Sequence, residues 1–138
     1  MRKICYLFIS MCMIFSLSSC SLYHKYSIKE ITDIKDEYPI SIVVTFNDEY
    51  EGYCEITDET LIRQIIELLN AREYKFSTAS PPPGTNRSLM LKYSSGIELN
   101  VSTRIIKENN GFYTPNSQDN LDYIIQEYAI EAGTITPR

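Results

Sequence analysis

The side chains that could act as nucleophiles, bases or soft metal ligands are few in this sequence. There are four cysteines and one histidine, His24, which lies in a polar stretch just after an apolar N-terminal segment. A cysteine nucleophile needs a base locked against it, and pairing Cys54 with His24 would require that stretch to fold back onto the domain. So few ligands also argue against zinc. We therefore predict no enzyme activity, no metal and no cofactor.

Carboxylates are the remaining groups with catalytic chemistry, and pairs such as Glu49 with Glu51 or Glu98 with Glu108 are available. A hydrolase of the glycosidase type needs two carboxyl groups held at a defined separation. No spacing in the sequence selects one pair. A carboxylate-pair hydrolase therefore stays a minor alternative.

The acidic stretch from Asn47 to Asp58 invites comparison with a calcium-binding loop. Oxygen-bearing side chains fall at positions 1, 3, 5, 9 and 12 of such a loop, with Gly52 at position 6. However, Glu49 and Glu51 stand where shorter side chains are preferred, Asp58 replaces the usual bidentate Glu, and a strand pattern precedes the loop. An acidic β-hairpin is the favoured interpretation.

The N-terminal segment has the layout of a secretory signal peptide. Two basic residues at positions 2 and 3 precede an uncharged run from Ile4 to Leu17. This run is shorter than the ~18 apolar residues that usually form a spanning helix. The following segment, Leu17-Ser18-Ser19-Cys20, resembles the lipobox of bacterial lipoproteins. An ordinary signal peptide cut near Ser18 and an uncleaved anchor are the alternatives.

The lipobox resemblance implies that the Cys20 thiol receives diacylglycerol and that residues 1–19 are then removed. Residues 20–25 would form a polar tether, and residues 26–138 a single domain. Two or three acyl chains on one cysteine would anchor the protein firmly, whereas a single chain binds only marginally. The expected location is the extracytoplasmic side of a membrane in the cell envelope.

Charge and cysteine content limit which partners and which disulfides the mature chain can have. Cleavage would remove two basic residues, which changes the formal net charge from −5 to −7. Such an acidic domain has no electrostatic footprint for nucleic acid. Cys54 would be the one cysteine left beside the lipidated Cys20, so no disulfide forms within the domain. Its position in a strand pattern predicts a small buried hydrophobic residue.

Alternating apolar residues predict antiparallel strands that pair as hairpins. From Ile40 to Phe46 every second residue is apolar, and Tyr50 to Thr57 alternates again after the turn residues Asn47 and Asp48. The proline-rich segment 80–86 can continue neither a helix nor a central strand, so we expect a stiff surface loop. Further strands are predicted at 73–76, 89–94, 97–102, 104–108 and 112–114, with turns at Ser95-Gly96 and Asn110-Gly111.

Two amphipathic helices are predicted. Asp58 is a good N-cap for a first helix that runs to about residue 70, with its apolar residues on one stripe. A second helix is expected to begin near residues 116 and 117 and to end at Gly133, with Asp119 and Asp122 near its positive end. Residues 26–37 have a thin apolar stripe and are read as an irregular strand or short helix. Hairpins and separate helices predict an α+β fold, an antiparallel sheet with both helices on one face.

Tyrosine is unusually frequent, with ten of eleven lying after residue 19. Exposed tyrosines are common at recognition surfaces. Tyr53 faces away from the predicted core, Tyr74 lies near the proline loop and Tyr113 follows a turn. These three residues are the candidate binding patch. The alternative is that they are ordinary tyrosines of an amphipathic sheet.

The sequence therefore favours a membrane-anchored bacterial lipoprotein whose domain is a non-enzymatic envelope binding module. Its expected partners are the membrane, through the lipid on Cys20, and an envelope protein, peptide or wall component. An inhibitor or immunity-type lipoprotein that neutralises a basic toxin or enzyme is the main alternative. Tight binding that weakens steeply with salt would indicate that second function.

Overall fold

The computed structural model describes residues 24–138, so the predicted signal peptide and the predicted lipidation site Cys20 lie outside the described residues. The helices are α1 (Ile28–Ile31), α2 (Glu59–Ala71) and α3 (Leu121–Glu131). The strands are β1 (Ser41–Asn47), β2 (Tyr50–Ile56), β3 (Tyr74–Ser77), β4 (Ser88–Lys92), β5 (Glu98–Ser102), β6 (Ile106–Glu108), β7 (Gly111–Pro115) and β8 (Ile135–Pro137).

The strands form two open antiparallel sheets, which confirms the α+β class. Five strands lie in the order β5-β4-β1-β2-β8, and three lie in the order β3-β7-β6. The expected single sheet is therefore divided in two, and Asn86 provides a physical reason. Its side-chain oxygen accepts hydrogen bonds from the backbone N–H groups of Arg104 (3.1 Å) and Ile105 (2.9 Å). These bonds end the β4–β5 ladder and direct the chain into the smaller sheet.

The larger sheet is built from the two predicted hairpins, joined through β1 and β4. Ile42 lies opposite both Ile56 and Leu91, and Val44 lies opposite both Cys54 and Leu89. Successive side chains in a strand point to opposite faces, so these residues share one face, and all of them are buried. Cys54 is 1% exposed, which confirms its predicted role as a small buried hydrophobic residue.

Both long helices contribute to the same hydrophobic core as this apolar sheet face. Their buried residues are Ile62, Ile65, Ile66 and Leu69 in α2, and Leu121, Ile125 and Ala129 in α3. The opposite sheet face carries exposed Thr45, Tyr53 and Glu55, so the helices cover one face and the other is open. No helix within residues 24–138 is long and apolar enough to cross a membrane.

The helix ends follow simple capping chemistry. Asp58 caps α2 as predicted, because its Oδ1 accepts the N–H of Leu61 at 2.7 Å. The end of α3 at Gly133 is also confirmed. This glycine has φ +67°, and the N–H groups of Gly133 and Thr134 donate to the carbonyls of Ile130 and Ala129. The turn leads into β8, an edge strand that the sequence pattern did not reveal.

Several predicted boundaries need correction. The tight turn between β6 and β7 has Asn109 and Asn110 at its centre, with φ 52° and 59°, because Glu108 pairs with Gly111. Asparagine tolerates this left-handed conformation better than most residues. Ile40 and Ile97 begin two of the predicted strands and carry on their apolar alternation, but they are 61% and 47% exposed rather than buried. Each lies one residue before the start of a strand.

Candidate functional site

The structure does not bring the three predicted tyrosines together on a surface. Tyr53 is 69% exposed on the open sheet face, whereas Tyr74 and Tyr113 are buried at 0% and 6%. Tyr113 packs edge to face against Tyr26, with ring centroids 5.0 Å apart. The predicted exposed patch is therefore corrected. Tyr74 and Tyr113 are core residues of the smaller sheet, because β3 pairs with β7 and turns these rings inward.

The start of the domain is pinned by backbone contacts to β3. Tyr26 and Tyr74 exchange two backbone hydrogen bonds of 2.9 and 2.7 Å. Beside them, Lys25 Nζ lies 2.9 Å from a carboxylate oxygen of Glu73. His24 stacks edge to face on Tyr26 at 4.3 Å. The histidine therefore lies on the smaller sheet, whereas Cys54 is buried in the larger one.

A buried arginine, Arg87, organises one end of the core. It is 5% exposed, and its Nε donates to Asp48 Oδ2 at 2.7 Å. Its Nη1 donates to the Asp122 carbonyl at 3.1 Å and its Nη2 to Gln126 Oε1 at 2.8 Å. The guanidinium also lies over the Phe46 ring, 4.6 Å from the centroid. We call these residues the Arg87 cluster. It ties the β1–β2 turn to α3.

Asp48 and Asp122 respond differently to this cation. Although burial opposes it, hydrogen bonds from Arg87 and from the Tyr50 backbone hold the pKa of Asp48 below its ordinary value. Burial raises the pKa of Asp122 above its ordinary value, and the Thr103 hydroxyl and Arg87 oppose that rise only in part. The Oδ1 of Asp122 lies 3.8 Å from Arg87 Nη1 without a hydrogen bond.

Asp122 also lines an open cavity of about 580 Å³, which we call the polar cleft. It lies where the proline loop meets the start of α3. The walls are the loop 82–85, the link 103–104 and the segment 114–119, together with Arg72, Lys75 and Asp122. A concave site that contains a partly buried carboxyl group with a raised pKa is a candidate functional site.

Arg72 and Asp119, which both line this cleft, form an ion pair with each other. Arg72 Nε and Nη2 donate to the two carboxylate oxygens of Asp119 at 2.5 and 2.7 Å. Arg72 Nη1 donates to the carbonyl of Thr103. Hydrogen bonds from Arg72 hold the pKa of Asp119 below its ordinary value. Asp119 Oδ1 also accepts the N–H of Leu121 at 3.1 Å, which explains why α3 begins several residues later than expected.

Arg104 differs from the other two arginines. No acidic residue within the described range forms a salt bridge with it, and its buried Nη1 has no hydrogen-bond partner there. The backbone of Gly84 packs directly on the guanidinium, and a Cβ at this position would overlap Nη1. A side chain at position 84 would therefore force the guanidinium to move from this position. The proline loop shields one side of an unneutralised cation.

A second concave surface lies beside the edge strand β5. This groove measures about 670 Å³ and includes Ile31, Leu99, Ile106 and Phe112. Its charged residues, Asp33, Lys107 and Glu108, are all exposed. It is larger than the polar cleft, but no buried polar atom without a partner lies among its lining residues. The polar cleft is therefore the better candidate.

Sequence reasoning missed the arginines of both regions, although one signal was available. Arg87 continues the alternation of Leu89, Leu91 and Tyr93, all of which face the core. A cation in register with a buried strand face indicates a buried, paired charge. Within residues 24–138, no group of three or more His, Cys, Asp or Glu side chains is placed to hold a metal ion.

Comparisons with protein family models, with curated proteins and with solved structures gave no significant match to this chain. The candidate site is therefore judged on its own geometry. Within the described residues, that geometry offers two arginines paired with acids, Arg72 and Arg87, and one arginine without an acidic partner, Arg104. A site of this kind can bind a polar ligand through charge-assisted hydrogen bonds.

Proposed function

We propose that this chain is a lipid-anchored envelope protein whose domain binds a small polar ligand in the polar cleft without transforming it. The observation that carries the binding role is the Arg104 guanidinium, which is shielded by the proline loop and has no acidic partner among the described residues. A shielded donor without an acceptor costs free energy in the folded state. An acceptor on a ligand in the cleft would neutralise this guanidinium, because Arg104 lines the cleft although Nη1 itself is buried.

A binding role also fits the state of the other charged groups in the cleft. Arg72 and Asp119 hold each other at 2.5 and 2.7 Å, so neither is free to transfer a proton to a ligand. Asp122 has a raised pKa because it is buried, but a general acid needs a reacting partner within reach. The candidate nucleophile Cys54 is buried in the larger sheet. These groups are suited to hold a ligand.

The anchor is proposed from the lipobox at Leu17-Ser18-Ser19-Cys20 and the apolar segment before it. Residues 20–25 would span at most ~20 Å when fully extended. Because Tyr26 is bonded to β3, the smaller sheet would lie next to the membrane. The ligand would then be bound close to the membrane surface.

The anchor can be tested by labelling cells with an alkyne analogue of palmitate. We expect the wild-type protein to incorporate the label and to fractionate with membranes. Cys20→Ser should lose the label, since no other thiol lies in the lipobox, whereas Cys54→Ser serves as the matched control and should keep it. An unlabelled wild-type protein, or a labelled Cys20→Ser variant, would contradict the anchor.

The binding role can be tested by thermal unfolding of the detergent-solubilised lipoprotein with a panel of sugars, amino acids, dipeptides, polyols and nucleotides. We expect one class to raise Tm, since a ligand that binds only the native state stabilises it. Thr85→Trp should abolish the rise, because Thr85 lines the cleft. Thr57→Trp, at an exposed position outside the cleft, is the control. If no class raises Tm, or if Thr85→Trp leaves the rise intact, the proposal is wrong.

A further inference from the structure

The charges that line the polar cleft restrict what it can bind. Three cations face it, Arg72, Lys75 and Arg104, together with the two acids Asp119 and Asp122. Arg72 and Asp119 neutralise each other. Within the described residues neither Lys75 nor Arg104 forms a salt bridge. The groups left for a ligand are therefore two cations and the exposed part of the Asp122 carboxyl group, whose Oδ1 lies 3.8 Å from Arg87 Nη1.

Arg104 is the group best prepared to bind an anion. Its backbone is fixed, because its N–H donates to the Asn86 side chain at 3.1 Å. Its guanidinium lies against Gly84 of the proline loop, which limits the positions open to it. A guanidinium is planar, always charged and shaped to donate two parallel hydrogen bonds to a carboxylate or phosphate. A guanidinium with fewer positions open to it loses less side-chain entropy when it binds.

The carboxyl group of Asp122 decides between these two anions. Its side chain is 35% exposed, and it lines the same cleft as Arg104. A dianionic phosphate would be repelled by this carboxylate, in a domain whose formal charge is already negative. A carboxylate carries a single charge. If the same molecule also carries an N–H donor, that donor can bind Asp122 and convert repulsion into attraction.

Resting on the proposed function, we infer that the ligand of the polar cleft is an amino acid or short peptide with a free α-carboxylate. Its carboxylate accepts hydrogen bonds from Arg104, and an N–H group of the same ligand donates to Asp122. Lys75 lies at the wall as a second cation. The exposed hydroxyl and amide groups of Thr85, Asn116 and Ser117 offer further polar contacts to a peptide backbone.

The test is isothermal titration of the detergent-solubilised lipoprotein with alanyl-alanine, its C-terminal amide and inorganic phosphate. The free dipeptide should bind, and the amide should bind at least about tenfold more weakly, because it lacks the anion that pairs with Arg104. Inorganic phosphate should not compete. Binding of the amide as tight as that of the free dipeptide, or competition by phosphate, would overturn the inference.

Amino-acid substitutions can show whether Arg104 is the residue that contacts the ligand carboxylate. Arg104→Gln should weaken dipeptide binding by about 10- to 100-fold, and Arg104→Lys should restore part of the loss because the charge returns. Gly84→Ala should also weaken binding, since the new Cβ displaces the guanidinium. Lys92→Gln is the control, because Lys92 is a cation on the open sheet face near Glu55, and it should bind like wild type. Unchanged binding by Arg104→Gln would overturn the inference.

The outcome separates this inference from the proposed function. If an uncharged ligand such as a sugar raises Tm and Thr85→Trp abolishes that rise, the cleft binds ligands but the carboxylate assignment is wrong. If no compound in the panel raises Tm, both proposals fail. Each variant is first checked for a wild-type unfolding transition without ligand, so that a loss of binding is not confused with a loss of fold.

Discussion

Two arginines at the same end of the domain have opposite environments. Arg87 is 5% exposed, and all three of its nitrogens donate hydrogen bonds, to Asp48, Asp122 and Gln126. Arg104, by contrast, lies against Gly84 with a buried Nη1 that has no partner in the described part of the chain. Burial alone therefore does not show whether a charged side chain stabilises the fold. An arginine stabilises the fold when the chain itself supplies acceptors for its N–H groups.

The largest expected effect comes from removing Arg87. Arg87→Met leaves the partly buried Asp48 and Gln126 without their donor, which should lower the free energy of unfolding by about 2–4 kcal/mol. Urea or guanidinium unfolding measures this directly. Arg63→Met is the control, since Arg63 is exposed and its guanidinium contacts the exposed Tyr38 ring, and it should change stability by no more than about 1 kcal/mol. Equal effects of the two substitutions would remove the basis of the comparison.

A smaller loss is expected at the ion pair that lines the cleft. Asp119→Asn weakens the pair with Arg72 and should cost about 1.5–3 kcal/mol at neutral pH. The folded pKa of Asp119 lies below its ordinary value of 3.8, so wild type holds this extra stability above pH 3.8 and loses it as the pH falls through the folded pKa. Unfolding curves at several pH values should therefore show the gap closing in acid. A gap that is constant with pH would argue against the ion pair.

Asp122 should show the opposite pH dependence. Because its folded pKa is raised above 3.8, the native state binds more protons than the unfolded state between these values. The contribution of Asp122 to stability therefore falls as the pH rises through that window. Asp122→Asn cannot ionise, so its stability relative to wild type should be higher at pH 7 than at about pH 3.5. The reverse trend in denaturant unfolding would show that Arg87 stabilises the ionised form.

The smallest stability effect is expected at Arg104. Arg104→Met removes a shielded donor that has no acceptor in the described chain, so the free energy of unfolding should change by no more than about 0.5 kcal/mol, or should rise slightly. The same Arg→Met change is therefore predicted to be severe at position 87 and nearly silent at position 104. A loss above about 2 kcal/mol at Arg104 would mean that the domain, rather than a ligand, depends on this cation.

Local sequence chemistry was sufficient to predict most of the fold. Alternation identified β1, β2, β4 and β5, and the capping residue Asp58 located the start of α2. Local sequence chemistry failed where a side chain distant in the sequence decides where an element begins or which sheet a strand joins. The start of α3 depends on Asp119, whose carboxylate is held by Arg72 from the end of another helix. The division into two sheets depends on Asn86, which binds backbone groups 18 and 19 residues away.

The candidate site was much less predictable than the fold. The tyrosines were chosen because exposed aromatic residues suit recognition, but whether Tyr74 is exposed depends on β3 pairing with β7. The arginines were overlooked because a single charged residue in a sequence carries no sign of its partner. The function itself, including the lipid on Cys20, stays a prediction.

The sequence by itself determined the α+β class, the hairpins, the long helices and the buried place of Cys54, because periodicity and capping act over a few residues. Only the tertiary structure decided which arginines have acidic partners and which one has none among the described residues. Arg72 pairs with a residue 47 positions away, and Arg87 with residues 39 positions away in both directions. Pair interactions of this kind depend on distance in space. Packing places acceptors beside Arg72 and Arg87, whereas Arg104 lines the cleft without an acidic partner among the described residues.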